Sequence, residues 1–240
     1  MSSERDKLPS RSSQGDVEAF LARVARTPPA TVAGPRGRLL FAMDATASRE
    51  PTWDQACRIQ GEMFEATGSL GGLDVQLCYY RGFHDFHAGT WHRDTAGLLG
   101  EMTGVRCAAG TTQIGRVLQH ALRESTAAAA VNALVFVGDC MEESIDSLCD
   151  QAGQLGLRRV PVFVFHEGHD AGAERAFREL ARLSGGAYVR FDATSADQLR
   201  ELLGAVAVYA AGGRKALAHL GKERGGAALA LTRQLAPKGR

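Results

Sequence analysis

Lysine is scarce in this chain: Lys7, Lys215, Lys222 and Lys238 are the four among 240 residues, and none lies in the apolar middle of the sequence. In total, 28 basic residues face 27 acidic ones, which gives a formal net charge of +1. A nearly neutral chain has no long-range field to attract a polyanion, and no stripe of basic residues is visible. We therefore expect no nucleic-acid partner.

Long apolar runs are also absent. No stretch approaches the roughly 20 apolar residues of a membrane helix, and the polar start MSSERDKLPSRSSQGD lacks the apolar run of a secretory signal. The five cysteines are scattered, odd in number and without a CxxC pair, so we interpret them as reduced thiols rather than as disulfides or a zinc knuckle. These absences predict a cytoplasmic protein with no membrane contact.

The composition, 45% hydrophobic and 23% charged residues, is typical of a folded globular protein. At this length we expect one domain with extensions. Residues 1–35 form a polar N-terminal extension, with a short amphipathic helix over 15–26 and a proline-rich linker. Residues 36–210 form the domain. Residues 211–240 are basic and interrupted by glycine, and we expect a weak helix or tail outside the domain.

Short apolar runs of strand length alternate with segments of helix length within the domain. The predicted strands are 38–43, 73–80, 132–139, 159–166 and 186–191, and the predicted helices are 51–67, 112–125, 143–155, 172–184 and 196–210. Such alternation indicates βαβ units. The predicted fold class is therefore α/β: a doubly wound, mostly parallel sheet of about six strands with helices on both faces.

One strand breaks this alternation. The segment GFHDFHAGTWH (82–92) follows LCYYR too closely for a helical crossover, so it predicts an antiparallel strand at one edge of the sheet. Its histidines, His84, His87 and His92, raise the possibility of a zinc site. We favour an exposed edge strand, since side chains alternate between the two faces of a strand.

The first core strand runs directly into FAMDATASREP (41–51), where Asp44, Thr46 and Ser48 carry oxygen at alternate positions. Three oxygen ligands at a strand end would suit a hard divalent cation such as Mg²⁺. The same residue types are ordinary caps at a helix start, so this stretch alone leaves both interpretations open.

Further oxygen ligands are expected at the same edge of the sheet. In a doubly wound sheet, ligands bind beyond the carboxyl ends of the strands, where the strand order reverses. The strand that ends at Asp139 should lie beside the strand that ends at Asp44, and the loop at 108–113 can place Thr111 or Thr112 over the same crevice. An oxygen-only shell of this kind favours Mg²⁺ or Mn²⁺ over soft metals.

In order and spacing, three motifs resemble the metal-ion-dependent adhesion site (MIDAS) of the von Willebrand factor A (VWA) family: DATAS (44–48), GTTQIG (110–115) and VFVGD (135–139). Residues 180–209 are similar to the closing segment of that family, so the resemblance spans about residues 36–210. It implies a Rossmann-like VWA fold. It also implies that Thr46, Ser48 and Thr112 are hydroxyl ligands, and that Asp44 and Asp139 bind the cation directly or through water.

The chain departs from the family pattern at three positions. Thr46 replaces the commoner serine, Thr111 replaces a glycine, and Gly138-Asp139-Cys140 stands where Thr-Asp-Gly is usual. These changes keep all five ligand oxygens. The expected partner-binding rim consists of residues near the same edge: Cys140, Glu142, Glu143, His166, Glu167, His169 and Asp170.

The function that the resemblance implies is a non-enzymatic protein-interaction module, in which an Asp or Glu side chain of a partner protein completes the shell of the bound Mg²⁺. One alternative is a metal-dependent hydrolase, such as a phosphatase with Asp44 as nucleophile. That chemistry requires a carboxylate at the position of Thr46 and a lysine near the site, and this sequence offers neither. An arginine could substitute for the lysine. The other alternative is a scaffold with a vestigial site.

Overall fold

The computed structural model describes residues 36–59, 72–191 and 196–235. The predicted N-terminal helix, the linker and the second half of the helix predicted over 51–67 lie outside the described residues.

A mixed sheet of six strands forms the centre of the described structure. The strands are β1 (Gly37–Asp44), β2 (Leu73–Arg81), β3 (Asp85–His92), β4 (Ala133–Gly138), β5 (Val162–Glu167) and β6 (Ala187–Phe191). Their order is β3-β2-β1-β4-β5-β6. Strand β3 pairs antiparallel with β2, and all other pairs are parallel. The predicted strands and the antiparallel edge strand are confirmed.

Seven helices lie within the described ranges: α1 (Glu50–Ile59), α2 (Thr95–Thr103), α3 (Ile114–Glu124), α4 (Ile145–Leu157), α5 (Ala171–Ser184), α6 (Ala196–Arg224) and α7 (Gly226–Gln234). None of them combines the length and the apolar character that crossing a bilayer requires. Helix α2 was not predicted, because TAGLLGEMT is short and contains two glycines. It begins after Asp94, whose side chain accepts a hydrogen bond from the Gly97 N–H at 2.9 Å.

The central strands are buried on both faces, which explains their continuous apolar character. In β1 the alternate residues Leu39, Phe41 and Met43 pack on one face with residues of α1, α2, α6 and α7. Leu40 and Ala42 pack on the other face with residues of α3, α4 and α5. Helices therefore cover the sheet on both sides, as the sequence predicts.

The C-terminal segment differs from the expectation of a tail outside the domain. Residues 214–224 and α7 are helical, and Leu217, Leu231 and Leu235 are buried in the same core cluster as β1. The Gln234 side chain also accepts a hydrogen bond from the Tyr188 N–H in β6 at 3.1 Å. The prediction is wrong for residues 211–235, because glycine interruption there shapes turns at Gly213 and Gly225 rather than ending the packed structure.

The strand order reverses between β1 and β4. Strand β2 lies on one side of β1 and β4 on the other, with Met43 opposite Val137. The carboxyl ends of β1 and β4 therefore meet at one point of the sheet edge. This is the switch point at which doubly wound folds form their ligand crevice.

Candidate metal centre

Asp44 ends β1 and is fully buried. Its Oδ1 accepts a hydrogen bond from the Thr46 N–H at 2.8 Å, and its Oδ2 accepts one from the Tyr80 hydroxyl at 3.2 Å. Burial raises the pKa of Asp44, and the nearby Asp139 carboxylate raises it further; the Thr46 hydrogen bonds and the Arg49 charge act in the opposite direction. The carboxylate is thus fixed in place by two donors in a poorly solvated position.

Thr46 and Ser48 lie on the turn that follows Asp44. The Ser48 hydroxyl donates to Asp139 Oδ2 at 3.1 Å, and the hydroxyl oxygens of Thr46 and Ser48 are 3.4 Å apart. The turn continues into a short 3-10 segment, Ala47–Arg49, and then into α1. Asp44, Thr46, Ser48 and Asp139 therefore form one connected group, which brings together four of the five ligands that the sequence predicts.

Asp139 directly follows β4, and its Oδ1 is buried without a hydrogen-bond partner among the described residues. One donor atom each from Asp44, Asp139 and Cys140 lies within 4.8 Å of the other two. Within the described ranges, these three residues are the one group of histidine, cysteine or acidic side chains close enough to share an ion. An unpaired buried carboxylate oxygen beside a second carboxylate fits a divalent cation, since a cation would supply the missing partner.

Thr112, the fifth predicted ligand, reaches the same edge but makes a different contact. Its hydroxyl accepts a hydrogen bond from the Glu142 N–H at 3.0 Å, and its own N–H donates to Glu142 Oε2 at 3.0 Å. This reciprocal pair joins the 110–113 loop to the loop that follows Asp139. The structure places Thr112 beside that loop, and its role as a ligand stays a prediction.

Glu143 fastens the same two loops at a second point. Its carboxylate accepts hydrogen bonds from the N–H groups of Ile114 and Gly115, the first residues of α3. The helix predicted over 143–155 would begin at Glu143, but that helix, α4, begins at Ile145. Glu143 instead caps α3, where a negative charge also complements the helix dipole.

His166 does not lie on the exposed rim, so this expectation is wrong. The side chain is fully buried at the end of β5. Its Nε2 lies 3.2 Å from the carbonyl oxygen of Asp139, and its Nδ1 lies 2.8 Å from the Tyr188 hydroxyl. Burial lowers the pKa of His166, which favours the neutral imidazole. His166 thus anchors the peptide group that follows Asp139.

Glu167 also faces inward, since its side chain is 14% exposed. It forms an ion pair with Arg49 and accepts a hydrogen bond from the Thr52 hydroxyl. His169 and Asp170 are exposed: Asp170 caps α5 by accepting from the Ala173 N–H at 2.5 Å, and His169 Nδ1 lies 3.4 Å from the Arg190 guanidinium. Glu142 is exposed and Cys140 is half-buried.

Sequence reasoning missed two residues that support the centre. Tyr80 is fully buried in β2, directly opposite Asp44, and burial raises its pKa well above the usual value, so it stays a hydrogen-bond donor. The register of β1 and β2 would have identified it. Arg49 follows the predicted ligand turn and is buried, but nothing in the sequence distinguishes it from an exposed arginine.

Within the described ranges, His84, His87 and His92 do not form a cluster that could bind one metal ion. The backbone of His84 lies in the turn before β3 and accepts a hydrogen bond from Arg116. A register shift between β2 and β3 occurs at residues 88–91 and leaves His87 and His92 against the same carboxylate, Glu101, at 3.3 and 2.5 Å. The three side chains tie α2 to the edge strand.

The structure is thus an α/β domain with a candidate cation crevice. Its six-stranded sheet has a doubly wound order, and acidic and hydroxyl side chains lie at the switch point. Among solved structures, the fold is that of von Willebrand factor A domains. No protein-family model matches the sequence, and no curated protein matches it.

Three solved structures illustrate the likeness. BatB, a conserved hypothetical protein from Bacteroides thetaiotaomicron, is 16% identical, with a TM-score of 0.54 over 69% of this chain and 96% of BatB. A von Willebrand factor type A protein from Catenulispora acidiphila is 16% identical, with a TM-score of 0.59 over 70% of this chain and 42% of that one. Proximal thread matrix protein 1 from the mussel byssus, with a zinc-occupied MIDAS motif, is 13% identical, with a TM-score of 0.57 over 72% of this chain and 46% of that one. The likeness thus covers less than half of the last two chains.

Proposed function

We propose that this protein is a metal-dependent protein-interaction module. Its ligands would be Asp44, Thr46, Ser48, Thr112 and Asp139, which hold Mg²⁺ or Mn²⁺, and an aspartate or glutamate of a partner protein would complete the shell. The observation that carries the proposal is Oδ1 of Asp139, which is buried beside a second carboxylate at the switch point and has no hydrogen-bond partner in the described part of the chain. The described fold, which is shared with a mussel protein that has a zinc-occupied MIDAS, supports it.

An acidic partner suits this centre because protein side chains leave the shell incomplete. Asp44 lies at the bottom of the crevice, while Ser48 is exposed at its mouth. A six-coordinate Mg²⁺ held by these residues would keep water on the exposed side, and a partner carboxylate can replace that water. The exposed side chains of Glu142, His169 and Asp170 lie on loops at the same edge, where they would meet the partner.

The geometry argues against a hydrolase with Asp44 as nucleophile. Both of its oxygens accept hydrogen bonds, and the side chain has no exposed surface from which to attack a substrate. The lysines of the described ranges, Lys215 and Lys222, lie on α6. Arg49 is a nearby cation, but it is buried and paired with Glu167 rather than open to a phosphate.

Two experiments test the proposal. Calorimetric titration with Mg²⁺ or Mn²⁺ should show one site in the wild type and in Asp85→Ala, an exposed control aspartate, and none in Asp44→Ala. Unchanged titration in Asp44→Ala would rule out the centre. Partner capture from a cytoplasmic extract should then succeed with Mg²⁺ and fail with EDTA or with folded Asp139→Ala. Equal recovery of partners in all conditions would contradict metal-dependent binding and favour the scaffold interpretation.

A further inference from the structure

Cys140 brings a sulfur atom to a crevice whose other donors are oxygens. Its Sγ lies within 4.8 Å of a carboxylate oxygen of both Asp44 and Asp139, which is close enough for one ion to bind all three. The VWA pattern that the sequence resembles has glycine at this position, so the sulfur is a feature of this chain rather than of the motif.

Hydrogen bonds before and after Cys140 in the chain hold its backbone in place. His166 Nε2 lies 3.2 Å from the carbonyl oxygen of Asp139, so a buried ring fixes the peptide group that joins Asp139 to Cys140. Two residues later, the Glu142 N–H donates to the Thr112 hydroxyl at 3.0 Å, and Glu143 is bound to the first turn of α3. A short loop that is held at both ends fixes the backbone of Cys140 beside the carboxylates, so the thiol needs no loop movement to reach them.

We infer that Cys140 is a sulfur ligand of this centre and gives it a preference for thiophilic divalent ions such as Zn²⁺. This inference rests on the proposed function. Thiolate ligands bind Zn²⁺ and Co²⁺ well and Mg²⁺ poorly, because Mg²⁺ is a hard cation that selects oxygen. On binding, the S–H proton passes to solvent and the sulfur lone pair bonds to the ion. Mg²⁺ would use the oxygen ligands alone.

The test compares Zn²⁺ and Mg²⁺ affinities, measured by calorimetry on the full chain under reducing conditions, in the wild type and Cys140→Ser. Most protein sites bind Zn²⁺ more tightly than Mg²⁺, so the informative quantity is the change in their ratio. Loss of the sulfur should lower Zn²⁺ affinity by about tenfold or more and leave Mg²⁺ affinity within about twofold. Equal changes for both ions, or no change, would overturn the inference.

Cys107→Ser is the matched control. Cys107 is also half-buried, and its neighbour Ala108 donates to the carbonyl of Ala45 at 3.0 Å, so this thiol lies close to the same crevice. The control should keep the wild-type affinities. Loss of Zn²⁺ binding in Cys107→Ser but not in Cys140→Ser would show that the wrong thiol has been assigned.

Co²⁺ gives a second, direct measurement, because a thiolate ligand produces a near-ultraviolet charge-transfer band that oxygen ligands do not. The band should appear in the wild type and Cys107→Ser and be absent from Cys140→Ser and Asp44→Ala. If Asp44→Ala loses Mg²⁺ while Cys140→Ser keeps the band, the metal centre stands and the sulfur ligand does not. If the wild type binds none of these ions, the proposed function fails as well. Circular dichroism of each variant establishes that it is folded.

Discussion

Replacing Arg49 by methionine should destabilise the protein strongly, although the residue lies outside the expected ligand set. Arg49 is 2% exposed, and its Nη1 forms an ion pair with Glu167, whose carboxylate also accepts from Thr52. Methionine keeps most of the side-chain volume and removes the charge. Glu167 would then be a nearly buried carboxylate with a single hydroxyl donor.

The expected loss in the free energy of unfolding depends on what happens to Glu167 and on what Arg49 itself costs in the wild type. Removing one partner of a buried ion pair costs about 3–5 kcal/mol, because the other charge is left uncompensated. Among the described residues, Nε and Nη2 of Arg49 are buried without a hydrogen-bond partner in the wild type, and methionine relieves that penalty. We therefore expect a loss near the lower limit, about 3 kcal/mol. In a domain of this size it lowers the melting temperature by about 6–12 °C.

Urea unfolding in EDTA, followed by circular dichroism, measures the effect without a contribution from bound metal. Arg182→Met is the control: its pair with Glu179 is exposed on α5, and exposed pairs of this kind contribute little to stability. The double variant Arg49→Met/Glu167→Gln should recover most of the lost stability, since no buried charge remains. An Arg49→Met protein within about 1 kcal/mol of the wild type, or a double variant as unstable as the single one, would refute the reasoning.

Three further predictions concern the metal, the pH dependence and the C-terminal helices. EDTA should lower the melting temperature modestly and leave the circular-dichroism spectrum intact, because the apolar core does not depend on the crevice; loss of the spectrum would show a structural metal. Since the folded-state pKa of Asp44 is raised above its ordinary value of 3.8, its contribution to stability in EDTA is present below that value and is lost as the pH rises through the folded pKa. Asp44→Asn should remove this part of the urea-measured pH dependence, and an unchanged profile would contradict the shift. Leu231→Ala should cost about 2–5 kcal/mol in the same assay, because Leu231 is fully buried in the core; a loss below about 1 kcal/mol would mean that α7 is not part of the folded domain.

Much of the fold could be predicted because the strands are self-evident in the sequence. Runs such as LVFV in β4 are apolar without interruption, which a strand buried on both faces requires. The close spacing of β2 and β3 excluded a helical crossover and indicated an edge hairpin. The neighbouring sequence alone shows that one strand ends at Asp44 and another at Asp139. The strand order of a doubly wound sheet then makes these two strands neighbours, so the two aspartates could be placed together.

The supporting contacts could not be predicted, because they join residues that are far apart in the chain. Thr52 and Glu167 are 115 positions apart, and His166 reaches back 27 positions to Asp139. Whether such a polar residue is buried depends on the packing of several elements, which residue type does not reveal. The same reason applies to Leu231, which lies in a glycine-rich segment and is buried in a core cluster with residues from distant parts of the chain, such as β1.

The burial of two carboxylates side by side leads to a last prediction in which one substitution has opposite effects in two conditions. Asp44 and Asp139 bring two carboxylates close together, and in the described part of the chain Oδ1 of Asp139 is a buried atom without a hydrogen-bond partner, which adds a further cost. In EDTA, Asp139→Asn should therefore raise the free energy of unfolding, since it removes the like charge beside Asp44. With Mg²⁺ at about 100 times its dissociation constant, the wild type gains about 2.7 kcal/mol by mass action and the variant gains almost nothing, so the order of stability reverses. Urea unfolding in both buffers, with Asp85→Asn as an exposed control, measures the reversal. A variant that is less stable than the wild type in EDTA would show that the pair is a structural element of the fold rather than a site that a cation completes.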